Sequence, residues 1–591
     1  MRRRRIARAL LAAGVVVLLA GGATAWIAVR GLSARDHLQR AAALVTQLRT
    51  QLETLDPAAA TTLTALRDAT AAARSDTGDP LWGLGTHTPG AGDDLTAVRT
   101  VARALDDFAR DGLPALVRAA GSADLSALTP RAGRIDLAPL ARSAPDLAAA
   151  DAALSRARTR IDAIAPAGLT APVRSAVEEL RAKLHDAAAL TGVAARSAAL
   201  LPGMLGHDGP RTYLLLFQNL AEVRASGGMP GAYVVVRATD GRIEIADQGT
   251  AAADLRTFAR PVLPLSATDR ALYTDKLATF PADINITPDF PTTGALAREM
   301  YRRRTGHTVD GVFATDPVAL AQLLAVIGPV PVPGGPDLTA ANAVPVLLSE
   351  IYAREALPQD QDRYFAAAAQ AVFRALVDRP LQPEALLGAL STAAGERRLL
   401  VWSAHPAENA LLADTVLAGT LPASDGTHPT VGLFLNDGSG AKLGYYLTHS
   451  ADLAVTPHCR TDGRRELRLR VTLGSTAPAA GLPDYVLGLK LAGDPYTVRT
   501  NVSIYSPTGG SIDGVRIDGA PAGVSAGTDR RRAVGIVTVD LAPGTRRTLE
   551  VTLLTGVPAG GYGSSVTPRL RTTPGITEWH QSVHSAGDCP D

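Results

Sequence analysis

Tyr213-Leu214-Leu215-Leu216-Phe217-Gln218-Asn219-Leu220-Ala221-Glu222-Val223-Arg224-Ala225-Ser226-Gly227-Gly228 is where the texture of the chain changes. Upstream, from Leu32 to about Leu201, the sequence is Ala-rich, with Leu38, Ala42, Val45, Leu48, Leu52 and Leu55 at helical spacing. Within the stretch, Tyr213 to Phe217 reads as a short apolar strand. Tyr233 to Ala238 and Ile243 to Asp247 then flank Asp240-Gly241, a hairpin signal. Residues 217–228 are therefore expected to form a polar, glycine-containing connection at the edge of a sheet, where loops commonly build sites.

Further on, Val309 to Thr315 reads as a strand. Asp316 as N-cap and Pro317 at the first helical position open a helix with Val318, Leu320, Ala321, Leu324 and Ile327, stopped by Gly328-Pro329. That alternation predicts a mixed α/β module. From Arg464 onward the pattern turns to alternating strands at Glu466 to Leu473, Tyr485 to Leu491, Val498 to Tyr505, Ala533 to Val539 and Thr548 to Leu554, which predicts a small β-sandwich. The expected fold is multidomain α+β. It comprises a basic tip and transmembrane anchor over 1–30, a helical stalk or bundle over 31–200, the α/β module over 201–455 and a β-rich domain over 456–591.

The chain has 591 residues, with 59 basic against 57 acidic side chains. Arg2, Arg3, Arg4, Arg5 and Arg8 supply five of the basic ones, so the remainder carries about −3. A near-neutral body with 4% aromatics lacks the basic surface and stacking platforms of a nucleic-acid binder. Ala9 to Val29 carries no charge and spans about 30 Å as a helix. Arginines ahead of it predict a cytoplasmic amino terminus and a single-pass protein of the cell membrane, its bulk extracytoplasmic. Ala23-Thr24-Ala25 has the spacing of a signal cleavage site, but the apolar run continues through Trp26, Ile27 and Val29, which favours an uncleaved anchor. Cys459 and Cys589 fit an oxidising compartment; paired, they would close a loop of about 130 residues worth about 4–5 kcal/mol in the chain-entropy picture. His458, His580 and His584 lie beside them without the tight spacing of a metal motif.

Among polar residues, Arg224 offers a planar fork suited to phosphate or carboxylate, and Gly227 and Gly228 allow close backbone approach to an anion. Gln218 and Asn219 are suited to placing neutral ligand groups. The structural alternative pairs Arg224 with Glu222 and leaves the glycines to turn the chain. A second cluster, Asn285-Ile286-Thr287-Pro288-Asp289-Phe290-Pro291, precedes a helix on which Arg298 and Arg302 share a face, either a basic ridge for an anionic head group or a solvated surface. Asp289 is either a turn or cap residue or, if close to Arg224, a ligand for a divalent cation such as magnesium. Gly523-Val524-Ser525-Ala526-Gly527 matches a nucleophile elbow by letter only, because strand follows it rather than helix.

Residues 218–228 closely resemble an uncharacterised envelope family frequent in Gram-positive bacteria, the domain of unknown function numbered four thousand and twelve. Pro288-Asp289-Phe290-Pro291, Val309-Asp310-Gly311-Val312, Gly328-Pro329-Val330 and Leu400-Val401-Trp402-Ser403 support the resemblance. It implies one amino-terminal anchor, a helical extracytoplasmic segment and the α/β module. The common family pattern has Asn-Asn-Ala-Glu where Asn219-Leu220-Ala221-Glu222 stands. More remotely, the order of elements is similar to the LytR-CpsA-Psr phosphotransferases, which move glycopolymers from polyprenyl-pyrophosphate carriers to the wall with Arg, Asp and magnesium. That similarity implies Arg224 and Asp289 as catalytic candidates, although the Arg-Ser-Asp run of those enzymes is missing after Arg224. Three functions follow as expectations: an envelope protein binding an anionic glycopolymer or lipid-linked precursor, a phosphotransferase of that class, or a structural scaffold.

Overall fold

The computed structural model describes residues 2–587 except 54, 55, 57, 123–132, 426 and 558–565, and leaves the side chains of 2–20, 52, 53, 458 and 459 undescribed. The expected Cys459–Cys589 pair lies outside the described residues, as do the side chains of much of the Ala9–Val29 stretch. The chain divides into two compact units, Met1–Leu128 with Asp136–Asp208, and Thr129–Ile135 with Gly209–Asp591.

The first unit is helical: α1 (Arg2–Glu53), α2 (Ala59–Gly78), α3 (Pro80–Gly85), α4 (Gly92–Asp111), α5 (Leu113–Ser122), α6 (Ala138–Asp162) and α7 (Ala171–Met204). Alanine is the strongest helix former and lets axes approach closely, so an Ala-rich chain packs as helices with small-residue seams. Ala41 and Leu48 of α1 meet Ala59, Leu66 and Ala69 of α2. Ala97 and Ala104 of α4 meet Leu154, Ala157 and Ile161 of α6 and Val177, Leu184 and Ala188 of α7. Asp79 caps α3 by accepting from Leu81 N, with Pro80 at the first turn. Among the described residues one helix, α7, is long and apolar enough to cross a membrane, and 39% of its most apolar window is buried within the protein.

The second unit is mixed α/β. Its first sheet has the order β3-β2-β1-β4-β5, formed by β1 (Arg211–Arg224), β2 (Gly227–Thr239), β3 (Arg242–Thr250), β4 (Gly311–Thr315) and β5 (Leu400–Ser403). β1 runs antiparallel to β2 and parallel to β4, with Tyr213 opposite Gly311 and Phe217 opposite Thr315. As expected, Asp316 caps the helix Pro317–Ile327 that leaves β4, accepting from Val318 N and Ala319 N. Leu214, Leu216, Val235 and Val312 of the sheet pack on Phe290, Leu296 and Met300 of the helix Phe290–Thr305.

Two further sheets follow. One has the order β11-β10-β14-β8-β7-β16 and the other β12-β13-β9-β6-β15. Their strands are β6 (Thr430–Asp437), β7 (Leu447–Cys459), β8 (Arg465–Ser475), β9 (Val498–Tyr505), β10 (Ser511–Ile517), β11 (Ala520–Pro521), β12 (Ser525–Asp529), β13 (Arg532–Leu541), β14 (Arg546–Leu554), β15 (Arg569–Thr572) and β16 (His580–His584). Leu433, Val502 and Val537 from one sheet share a core with Leu453, Leu469 and Val551 from the other. Tyr485 to Leu491 departs from expectation: it forms a helical turn, Asp484–Leu487, and then reverses through Gly488 and Lys490 at positive φ. That reversal prevents a strand despite the alternating apolar residues.

Candidate functional site

The decisive stretch is strand almost to its end. β1 pairs with β2 from Arg211 to Arg224, and Ala225-Ser226 form a two-residue turn. The expected loop is absent because pairing survives an outward bulge. Asn219 lies opposite Met229 and Val223 opposite Gly228, so Leu220, Ala221 and Glu222 stand out from β1 without partners on β2. Asn219 holds the bulge: its Oδ1 accepts from Ala221 N at 3.0 Å and its Nδ2 donates to the Tyr352 hydroxyl at 2.9 Å. The protruding Leu220 and Ala221 are buried against Leu348.

Two glycines make the close return possible. Gly227 sits at φ 139°, and a Cβ on Gly228 would fall 2.2 Å from backbone C and O of Asn219. The hairpin runs past the end of β4 and its tip meets β6: Asn436 Oδ1 accepts from Ala225 N at 2.9 Å, and Thr573 Oγ1 donates to Ala225 O at 3.0 Å. The second polar cluster arrives at the same place. Asn285 Nδ2 donates to Gly228 O at 2.7 Å, and Asn436 Nδ2 donates to Ile286 O at 3.1 Å. Residues 218–228 and 285–289, far apart in sequence, are thus two walls of one polar joint with β6.

The charges in this joint are spent on each other. Arg224 is 6% exposed; its Nη2 lies 3.0 Å from Asp283 and its Nη1 3.9 Å from Asp437. Glu222 pairs with Lys442 rather than with Arg224, and the Lys442 ammonium lies 4.5 Å from the Tyr485 ring centre and 5.1 Å from that of Tyr352. Asp437 accepts from Ser439 N and Oγ, and burial pushes its carboxyl up from the ordinary value. Gln218 Nε2, Ser226 Oγ and Asn285 Oδ1 are the polar side-chain atoms here that are buried without a partner. A separate recess of about 10 Å³, enough for roughly one water, is lined by Leu220, Val223 and His449 among others.

Asp289 is the N-cap of the helix Phe290–Thr305, accepting from Thr292 N at 3.1 Å, and its carboxylate also takes the Arg530 guanidinium, with Nη2 at 2.7 Å. With a guanidinium and a helix terminus on its oxygens it does not fit a magnesium ligand, and among the described residues no three His, Cys, Asp or Glu side chains converge. Arg298 and Arg302 do not join the site: Arg298 Nε donates to Val309 O at 2.8 Å, and Arg302 forks onto Glu299 at 2.8 Å. Arg302, with Arg303, holds the Glu299 carboxyl down at about 2.

Sequence reasoning missed Lys442, Asp283, Asp437, Asn436 and Arg530, which complete the joint from remote positions. One signal was available. Lys183, Lys276, Lys442 and Lys490 are the only lysines in a chain with 59 basic residues, so Lys442 stands where a compact ammonium, rather than an arginine fork, fills a buried gap.

Residues 208–352, about a quarter of the chain, match the family model described as "Protein of unknown function (DUF4012)". That segment spans β1 to β4 and the hairpin joint, and carries the domain whose motif the sequence resembled. No curated protein and no solved structure matches the chain.

Proposed function

We propose that the chain is a non-catalytic, membrane-anchored scaffold of the extracytoplasmic envelope. In it, residues 217–228 are the joint that fixes the α/β sheet to the two C-terminal sheets, a β-sandwich by their common core. One observation carries this reading: every charged candidate in the motif has an internal partner, Arg224 on Asp283 and Asp437, Glu222 on Lys442, Asp289 on Arg530. Pyrophosphate chemistry would require a free guanidinium and an open carboxylate within reach of a substrate. Here both are committed, and stripping Arg224 from two buried acids would leave those acids unpaired. An anionic glycopolymer or lipid-linked precursor, if held, would engage surfaces other than this joint.

The test uses the full chain in detergent, titrated with a polyprenyl-pyrophosphate analogue with and without magnesium. The expectation is no magnesium-dependent binding, with Arg224→Ala lowering the melting temperature. Magnesium-dependent binding that Arg224→Ala abolishes while the fold survives would replace the scaffold reading with the phosphotransferase one.

A further inference from the structure

In the first unit, α1 continues as a single helix from the uncharged stretch Ala9–Val29 into the bundle, ending at Glu53. α2 returns antiparallel to it, since Asp76 near its end takes Arg30 Nη1 at 2.6 Å and Ser33 Oγ at 2.7 Å. The short α3 therefore lies against α1 just where the uncharged stretch ends. A Cβ on Gly85 would meet Ile27 Cδ1 at 3.0 Å, and one on Gly31 would meet the Trp82 ring at 3.7 Å. Trp82 is 2% exposed and donates to Leu95 O at 3.0 Å, which anchors α3 from beneath.

Between the carboxylates of Asp79 and Asp93, this end of the bundle exposes apolar side chains. Leu84 is 69% exposed and Leu81 36%, beside Trp26 at 45% and Val29 at 61% on α1. Pro80 to Gly92 contains no Asp, Glu, Lys or Arg. The α6–α7 connection reaches the same end, because Asp94 accepts from Thr170 N at 2.9 Å and Thr170 Oγ1 at 2.6 Å, and its residues 163–169 are also uncharged. Two separate loops at one end of a bundle thus lack charge, and that end is the one α1 leaves towards the anchor. Arg30, stacked over the Trp26 ring at 4.9 Å, has the pairing of residues that sit at a bilayer interface.

We infer that this end of the bundle is a lipid-docking face, with Leu81 and Leu84 of α3 seated in the boundary between head groups and acyl chains. The inference rests on the anchor reading. The length of α1 sets the geometry: a span ending near Val29 leaves no flexible tether between bilayer and bundle, so the residues packed on Ile27 and Gly31 lie at interface height. Lipid is the occupant this position selects, because the exposed side chains continue an apolar helix rather than form a separate patch.

The experiment places a keto-bearing amino acid, coupled to a nitroxide, at Leu84, at Leu190 or at Val16 of the full chain in lipid nanodiscs. Leu190 is 75% exposed on α7, about 28 Å along that helix from Ala171. Oxygen should reach the labels at 84 and 16 while an aqueous nickel complex loses access to both; the label at 190 should show the reverse. If position 84 behaves like 190 while 16 is lipid-shielded, the docking face is refuted and the anchor stands. If 16 is also water-exposed, the anchor reading falls and takes the docking face with it.

Discussion

Consider removing the buried ammonium that holds the bulge. Lys442 and Glu222 have side chains 7% and 8% exposed, so each depends on the other for compensation. Breaking such a pair from one side typically costs about 3–5 kcal/mol, because the survivor is left charged and dry. Lys442 also lies over two tyrosine rings at 4.5 and 5.1 Å, contacts worth about 0.5–2 kcal/mol each. Lys442→Met should therefore fall at the upper end of that range, and Glu222→Gln, which keeps an acceptor, near about 3 kcal/mol. The double variant removes both charges and should cost only about 2 kcal/mol, a coupling of several kcal/mol between the sites. Thermal unfolding of the four proteins in detergent, with hydrogen exchange of peptides covering 213–239, provides the cycle. Faster exchange at 219–228 in the single variants, largely restored in the double, is expected. Single variants that melt and exchange like the parent, or a double variant that loses the sum of the two, would refute the claim that this pair holds the joint.

Gly228→Ala should prevent the hairpin from closing, since its Cβ would lie 2.2 Å from Asn219 backbone atoms that cannot yield, whereas Gly514→Ala, with open space around it, should leave melting unchanged; soluble yield and circular dichroism compare them. His449 stacks on Trp579 at 4.1 Å, and burial pulls its imidazole from 6.5 down to about 4. The folded ring stays neutral while the unfolded one takes a proton, so stability present above pH 6.5 is lost as pH falls towards 4, by about 3 kcal/mol in all. His449→Phe should flatten that limb in melting experiments run across the window, and an unchanged slope would show that other groups cause it. The proposed pairing of Cys459 with Cys589 is checked by alkylation: the unreduced chain should take up no alkylating agent until a reductant is added, and uptake without reductant would refute the pair.

Much of the architecture was legible because it rests on local signals. Asp316-Pro317 announced a helix start, Asp240-Gly241 a hairpin, and the Ala-rich spacing from Leu38 to Leu48 a helical unit, each the consequence of backbone chemistry within a few residues. The joint was half legible. Glycine and arginine types in 217–228 marked a crowded, polar place, but whether Arg224 faces solvent or Asp283 and Asp437 is decided by partners 59 and 213 residues away. The strand-like continuation of β1 was hidden for the same reason. Asn219 and Glu222 look like loop residues until Tyr352 and Lys442 are placed beside them to satisfy their polar atoms in a buried setting. Polar residues in a strand are read as exposed by pattern alone, and that reading fails wherever a second layer supplies the hydrogen bonds.

The motif's chemistry also bears on why its charges cluster. Three acids, Glu222, Asp283 and Asp437, face two bases, Arg224 and Lys442, inside one joint. A joint made of leucines would tolerate sliding, because apolar contacts are non-directional. A bulged hairpin whose guanidinium meets a carboxylate at 3.0 Å, and whose backbone is gripped by Asn285 and Asn436, has one register in which every pair is made and many in which charges are left dry. The desolvation penalty that makes such a network a poor source of net stability also makes alternatives to its native geometry costly. Rigidity of the hairpin against β6 is therefore what the clustered charges supply: each carboxylate and each cation of the joint is met from within it.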